Sequence, residues 1–406
     1  MRLPHSIKLI KVALIASLSL ELFSFTLPAY ALEGDVIRPY ASLTYSYDDN
    51  LRRFSSKQQA AGSKMSDTVM MTGVGIILDK EISRQRIYVD IGANKTNFDR
   101  NSELDNTGRD MKGRWDWELG NRLDGKIELT HKKALVPFAD YQAQTGQGLS
   151  LNTRTQDYRL LEARWLFHPR WRARAALSNS ETEYEVQKAS NLEENAYEVG
   201  LDYLSPSRSV VGVLYRHVKG TKPTQVFQGA SVSNDYDQDE LKLNVDWAVT
   251  GKSKLQFLGG LVDRKYDEFS ARDFRKFNMR GNFSWAPTGK TGLNFSAWKE
   301  NNAQAFVTTS YTENTGASVV GSWYMTSKLT LQGNVKYEKR DFAFNDTGFA
   351  REDRSDKDKN YSLALIYKPT LSFMLNASVT HSARDSNDDR YGFDSNGIAL
   401  TGQYEF

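Results

Sequence analysis

The chain alternates almost everywhere between greasy and wet positions. In "MKGRWDWELG", Met111, Trp115, Trp117 and Leu119 take one parity, while Lys112, Arg114, Asp116 and Glu118 take the other. "ELKLNVDWAV" sets Leu241, Leu243, Val245, Trp247 and Val249 against Lys242, Asn244 and Asp246. "KFNMRGNFSWAP" sets Phe277, Met279, Phe283 and Trp285 against Asn278, Arg280, Asn282 and Ser284. "WRARAALS" and "NYSLALIY" follow the same rule. A period of two is the signature of a strand with one apolar face, and helical periodicity fits none of these windows.

The connections carry a second pattern. Short turns occur near 79–85, 120–123, 167–171, 204–209, 250–253, 286–290, 325–328 and 368–371, several with Pro or Gly as in "FHPRW", "APTGK" and "YKPTL". Between them lie long polar stretches such as "DDNLRRFSSKQQAAGSKMSD", "PFADYQAQTGQGLSLNT", "KGTKPTQVFQGASVSNDYDQD" and "AFNDTGFAREDRSDKDK". The alternation predicts about 18 strands in an all-β, antiparallel, up-and-down outer-membrane barrel with short periplasmic turns and long extracellular loops. A soluble sandwich or propeller also alternates. It does not keep one end consistently short, and it does not place Lys, Arg, Asp and Glu in the middle of its strands. A chain crossing lipid must pair every backbone N–H and C=O, and a closed sheet does so without an edge.

The two ends support this reading. The chain finishes on "GIALTGQYEF", with Ile398, Leu400, Tyr404 and Phe406 on one face. A strand over about 392–406 is expected to close against one over Ile37–Asp48, and the terminal Phe406 is expected to serve as the signal read by the barrel assembly machinery. Residues 1–31 read as a secretory signal peptide: Arg2, Lys8 and Lys11, then an apolar run, then Ala29 and Ala31 as a small-residue cleavage site. Residues 32–406 are then a single barrel domain of the cell outer membrane. Trp171, Tyr203, Trp247, Trp285, Tyr367 and Tyr404 lie beside short turns or the C-terminus and are expected to form an aromatic girdle at the periplasmic membrane interface.

Composition sharpens the picture in three places. There is no cysteine among the 406 residues, so disulfides and thiolate metal sites are excluded. The net charge of +3 is too small to argue for a nucleic-acid partner. The mean hydropathy of −0.58 is that of a soluble protein, as expected where polar residues face a hydrated lumen. His131, His217 and His381 lie in or near strands, and no hydrolase or two-His metal motif accompanies them, so no enzyme activity, cofactor or metal is predicted. The run Asp385, Asn387, Asp388, Asp389 has oxygen ligands for calcium, but such runs are more often solvated loops.

What remains is a pore. The inward parity collects Arg38, Tyr40, Arg86, Lys112, Arg114, Asp116, Glu118, Glu162, Arg164, Arg172, Arg174, Arg216, Lys242, Asp246 and Arg280, with Asp90, Lys126, Glu128, Asp202 and Lys336 beside them. Cations outnumber anions there, which favours anionic solutes unless the charges satisfy one another across the wall. Tyr40 and Trp298 offer flat faces to sugar rings.

The stretch "DVIRPYASLTYSYDDNLRRF", Asp35 to Phe54, resembles the start of the exosortase-associated extracellular polysaccharide transporter family, the EpsL-type outer-membrane barrels. The motif-like part is Arg38 to Leu51; "NLRRF" departs from the more apolar continuation expected after Leu51. The resemblance implies a single barrel exporting an exopolysaccharide, fed by a periplasmic polysaccharide-export partner, with no catalytic residues. A general or anion-selective porin for small solutes, and a non-conducting structural or adhesive barrel, are the competing readings.

Overall fold

The structure, a computed structural model, describes residues 36–55, 65–139, 151–207, 209–227, 230–268, 270–303, 311–343 and 354–406. The expected signal peptide, 1–31, lies outside the described residues. The alternating windows become strands β1 (Ile37–Asp48), β2 (Asp67–Ile82), β3 (Gln85–Phe98), β4 (Asn106–Leu119), β5 (Leu123–Leu135), β6 (Thr153–His168), β7 (Trp171–Tyr184), β8 (Leu192–Leu204) and β9 (Val210–Thr221). A small hairpin follows, β10 (Gln225–Phe227) and β11 (Ala230–Val232). The chain continues as β12 (Tyr236–Thr250), β13 (Ser253–Tyr266), β14 (Phe274–Thr288), β15 (Thr291–Ala303), β16 (Tyr311–Tyr324), β17 (Leu329–Ala343), β18 (Ser355–Tyr367), β19 (Phe373–Ser386) and β20 (Phe393–Glu405).

All but β10 and β11 join one 18-stranded sheet in which each strand pairs antiparallel with its neighbours in sequence and β20 pairs with β1. The register of that last pairing runs from Tyr40 opposite Glu405 to Asp48 opposite Gly397, so the sheet is closed. The fold is an up-and-down β-barrel, as the patterning predicts.

The two faces are inverted relative to a soluble protein. Trp115, Trp247 and Trp285 are 44%, 43% and 42% exposed on the outer surface, and the same rows hold Leu129, Val199, Leu243, Val335, Leu363 and Ile398. In the middle of the barrel the outward positions are apolar or Gly, with Thr72 of β2 uncharged among them, whereas Arg or Lys at the midplane of a lipid-facing wall would cost about 2–4 kcal/mol. The predicted girdle residues lie on the same outer surface at the short-turn end. Trp171 meets Tyr203 edge-on at 5.4 Å, and Tyr404 meets Phe406 likewise at 5.0 Å.

One expectation needs correction. The long polar segments are not all loop: "SDKDK" is the beginning of β18, and "YDQDE" the beginning of β12. Strands here run to as many as 16 residues, while about 9–11 cross the hydrocarbon. The remainder stands in water at the extracellular end, where both faces carry charge. Several connections at that end are also short, each with a single 3-10 turn: Ser102–Leu104, Lys188–Ser190 and Ser270–Arg272.

Candidate functional site: the lumen and its rim

Pairing partners in a sheet share a face, so the register carries the inward parity around the barrel. Arg86 of β3 stands opposite Asp116 of β4, Arg114 opposite Glu128 of β5, and Lys126 opposite Glu162 of β6. Arg164 stands opposite Arg174 of β7, Arg172 opposite Asp202 of β8, and Arg216 opposite both Glu198 and Glu240. Arg38, Tyr40, Lys112, Glu118, Lys242, Asp246 and Arg280 have the same parity on their strands. Glu118 is exposed at the periplasmic end.

These charges are engaged within the wall. Arg86 forks onto Asp79 (2.8 and 2.6 Å) and Arg114 onto Asp116 (2.8 and 2.7 Å). Arg172 reaches Asp202 at 2.6 Å, and Arg280 forks onto Glu300 at 2.9 and 2.8 Å. Arg164 pairs with Asp124 and lies 3.6 Å from Glu162; Arg174 pairs with Glu198. Lys242 contacts Glu240 at 2.6 Å, Lys254 contacts Asp246 at 2.9 Å, and Lys112 lies 4.0 Å from Glu128. Such forked pairs fix side chains against the wall and keep net field in the lumen low.

The charged rows occupy one sector. On the membrane-spanning part of β18–β20 and β1 the inward positions are Ser362, Ala364, Ser378, Thr380, Ala399, Thr401, Ser42 and Thr44. The lumen therefore has a charge-bearing side, over β3–β9 and β12–β17, and a neutral hydroxyl-bearing side over β18–β20 and β1.

Inward aromatics lie flat where a glycine faces them. Tyr40 is opposite Gly75, and a Cβ there would fall 2.3 Å from its Cζ. Trp298 is opposite Gly316, where a Cβ would fall 2.4 Å from Cζ2. Trp298 is buried: its Nε1 donates to Glu338 (2.8 Å), and Arg280 and Lys336 sit 5.1 and 5.5 Å from its ring. The sugar-stacking role envisaged for Trp298 meets a covered ring, because these two cations occupy its face.

Three packed groups line the extracellular rim, and the sequence pattern pointed to none of them. In the first, Phe98, Leu104 and Phe138 form an apolar cluster that draws in the start of the β5–β6 connection. The second has Arg264 stacked 3.8 Å over Tyr236 and bonded to Gln238 (2.7 Å), near Val262, Phe274 and Tyr311. The third is ionic: Asp358 accepts from Arg340 (2.5 Å) and Arg384 (2.7 Å), and Asp356, fully buried, accepts two bonds from Arg354. Arg384 also donates Nη1 to the Ala139 carbonyl at 3.0 Å. That bond ties β19 to the start of the connection after β5, so residues 136–139 reach inward over the rim. The parity of "SDKDK", with Asp356 and Asp358 inward and Lys357 and Lys359 outward, was the available signal for this network.

The motif-like segment after β1 closes the barrel. Asn50 donates to the Phe54 and Asp394 carbonyls, both at 2.9 Å. Asp48 accepts from Arg53 (2.9 Å) and Ser395 (2.7 Å), and Asp49 accepts from the backbone and side chain of Asn396. At the other end of the same seam Arg38, 2% exposed, reaches Glu405 at 3.3 Å, and the Phe406 amide donates to the Pro39 carbonyl. Arg38, expected along the solute path, is a seam residue.

His131, His217 and His381 all face outward, where Nδ1 meets Asp157, Asp239 and Asn396 at 2.9–3.0 Å. The calcium candidates divide: Asp385 pairs outward with Lys359 at 2.8 Å, and Asp388 pairs with Arg390. Among the described residues no three His, Asp or Glu gather as a metal site.

Residues 245–406 match the model of a family described as "Putative beta-barrel porin 2". The chain is an 18-stranded β-barrel of the outer membrane, and the family match covers its C-terminal part. No curated protein matches it. Among solved structures, OccK2 (OpdF) of Pseudomonas aeruginosa is 11% identical, with a TM-score of 0.49 over 91% of this chain and 98% of that one. A BenF-like porin from Pseudomonas fluorescens Pf-5 is 12% identical, with a TM-score of 0.48 over 91% and 99%. The siderophore receptor PirA from Acinetobacter baumannii is 8% identical, with a TM-score of 0.47 over 92% and 81%. At that identity the likeness is one of architecture alone.

Proposed function

We propose that this porin-like barrel is a diffusion channel for small hydrophilic solutes. The observation that carries the reading is the lumen wall: a closed sheet with an inward face of paired charges on one side and hydroxyl groups on the other. Such a surface lowers the cost of moving a hydrated solute across lipid without binding it tightly. The porin description of the family matched over 245–406 supports it. The inward reach of residues 136–139 over one side of the rim narrows the mouth there, which favours small solutes over a polymer.

Export of a polysaccharide rests on the resemblance at Arg38–Leu51. Those residues have an assigned task here, since Asp48, Asp49 and Asn50 bond β1 to β20, and the family match begins far downstream at Val245. The porin reading is therefore preferred. An excess of anion over cation passage is expected to be small, because the arginines are paired.

Purified protein in planar bilayers should give stepwise ohmic conductance, and liposomes carrying it should swell in small sugars and amino acids. Silence in both assays overturns the channel reading in favour of a structural barrel. Loss of secreted polysaccharide on gene deletion, with small-solute uptake unchanged, would restore export.

A further inference from the structure

Charges on the outer surface begin where the apolar rows end, at the extracellular ends of the strands. Around most of the barrel they are matched across neighbouring strands. Lys299 meets Glu313 and Lys359 meets Asp385, both at 2.8 Å, and Arg159 lies 3.9 Å from Glu181. Asp237 stands in register between Lys219 and Lys265, and Asp263 opposite Arg275.

The sector β3–β5 departs from this rule. Its outward positions carry Lys95, Arg109 and Lys133 and no carboxylate: Ile87, Val89, Ile91, Ala93 and Asn97 on β3, with the remaining outward positions of β4 and β5 apolar, Gly, Thr or His131. Arg109 is directly opposite Lys133, and Lys95, opposite Thr107, is diagonal to Arg109. Like charges placed opposite each other in a sheet are destabilising. Lys95 and Arg109 are exposed, and among the described residues neither touches a carboxylate; Lys133 lies 3.9 Å from Glu185, beyond the strand end. His131 is held by Asp157. Among the described residues Glu185, which also accepts from Thr153, is the one carboxylate within ion-pair reach of this patch; Lys95 and Arg109 have none, and the patch sits above Ile91, Met111 and Leu129 on the lipid-facing surface.

We propose that Lys95, Arg109 and Lys133 form a binding site for the phosphate groups of a phosphorylated glycolipid in the outer leaflet. Position argues for a lipid over a soluble anion, because a headgroup anchored by acyl chains along the apolar rows below is delivered to this height at high local concentration. The guanidinium of Arg109 offers a forked donor to one phosphate, and the two ammonium groups flank it. The like-charge opposition then becomes a feature of the unliganded face alone.

The test uses the full chain in detergent micelles, read by thermal unfolding. A bisphosphorylated glycolipid should raise the transition temperature by several degrees at low salt, and its dephosphorylated counterpart should not. The triple variant Lys95→Gln, Arg109→Gln, Lys133→Gln should lose that rise. A control with Lys299→Gln, Lys339→Gln and Lys359→Gln should keep it. An equal rise with the dephosphorylated lipid, or an undiminished rise in the first triple variant, overturns the proposal. So does an equal rise with inorganic phosphate alone, which would mark a soluble-anion site. The lipid comparison on the unaltered chain stands even if the triple variant fails to fold.

Discussion

At the scale of single residues, the lumen depends on what large side chains are prevented from doing. Tyr40 lies against the wall because Gly75 leaves room for its ring. Gly75→Ala should force that ring off the wall, costing about 1–3 kcal/mol of stability as overpacking does and lowering single-channel conductance. Adding Tyr40→Ala to Gly75→Ala should restore both, as checked by thermal unfolding and bilayer recordings. Unrestored stability would place the cost in the backbone. Lys222, just past β9, behaves differently. Burial, with the Arg264 and Arg272 guanidinium groups nearby, pushes its pKa down to about 7. In the unfolded chain it titrates near 10.5, so between about pH 7 and 10.5 the unfolded state holds a proton that the folded state has released. Stability should therefore rise with pH through that window, by on the order of a few kcal/mol, with the full penalty present below pH 7. Lys222→Met should flatten the dependence in unfolding scans at pH 6 and pH 9.

At the scale of elements, the strands were legible and their ends were not. Alternation located β4, β7, β12, β14 and β18, because each must hold one face against lipid. The extracellular ends were read as loop because charge on both faces erases the period. The pairing of β1 with β20 was expected from the aromatic tail, but the clasp at Asp48–Arg53 was not. Its partners, Asp394, Ser395 and Asn396, are 344–347 residues away in sequence, and a single sequence holds no trace of such a bond. Asn50→Ala removes two donors to backbone carbonyls and should cost about 1–3 kcal/mol, opening the extracellular end of the seam first. Hydrogen exchange at 396–400 should rise well before exchange at β6 or β7. Uniform exchange across the barrel would show that the clasp carries no local stability.

At the scale of the whole molecule, the sequence told inside from outside but not who pairs with whom. The inward list was rich in cations, which suggested an anion-selective pore. Pairing changes the expectation: a guanidinium forked onto a carboxylate contributes little field at the axis. Replacing both Arg172 and Arg174 by Glu leaves Asp202 and Glu198 without their partners and adds two negative charges, so the reversal potential in a salt gradient should move towards cations. The reciprocal change, Asp202→Asn with Glu198→Gln, should move it towards anions. An unchanged potential in both would mean that this sector does not border the conducting path. The rim clusters escaped the sequence reading for a related reason. Phe98 with Phe138, and Arg384 with Ala139, meet through the folding-in of a loop, and no period records it.

The seam has a consequence for how the protein is made. Every bond across it joins β1 to β20, so none of them can form before β20 has been synthesised. A product cut short by even one strand would keep two bare strand edges, free to pair with another copy or with a different barrel.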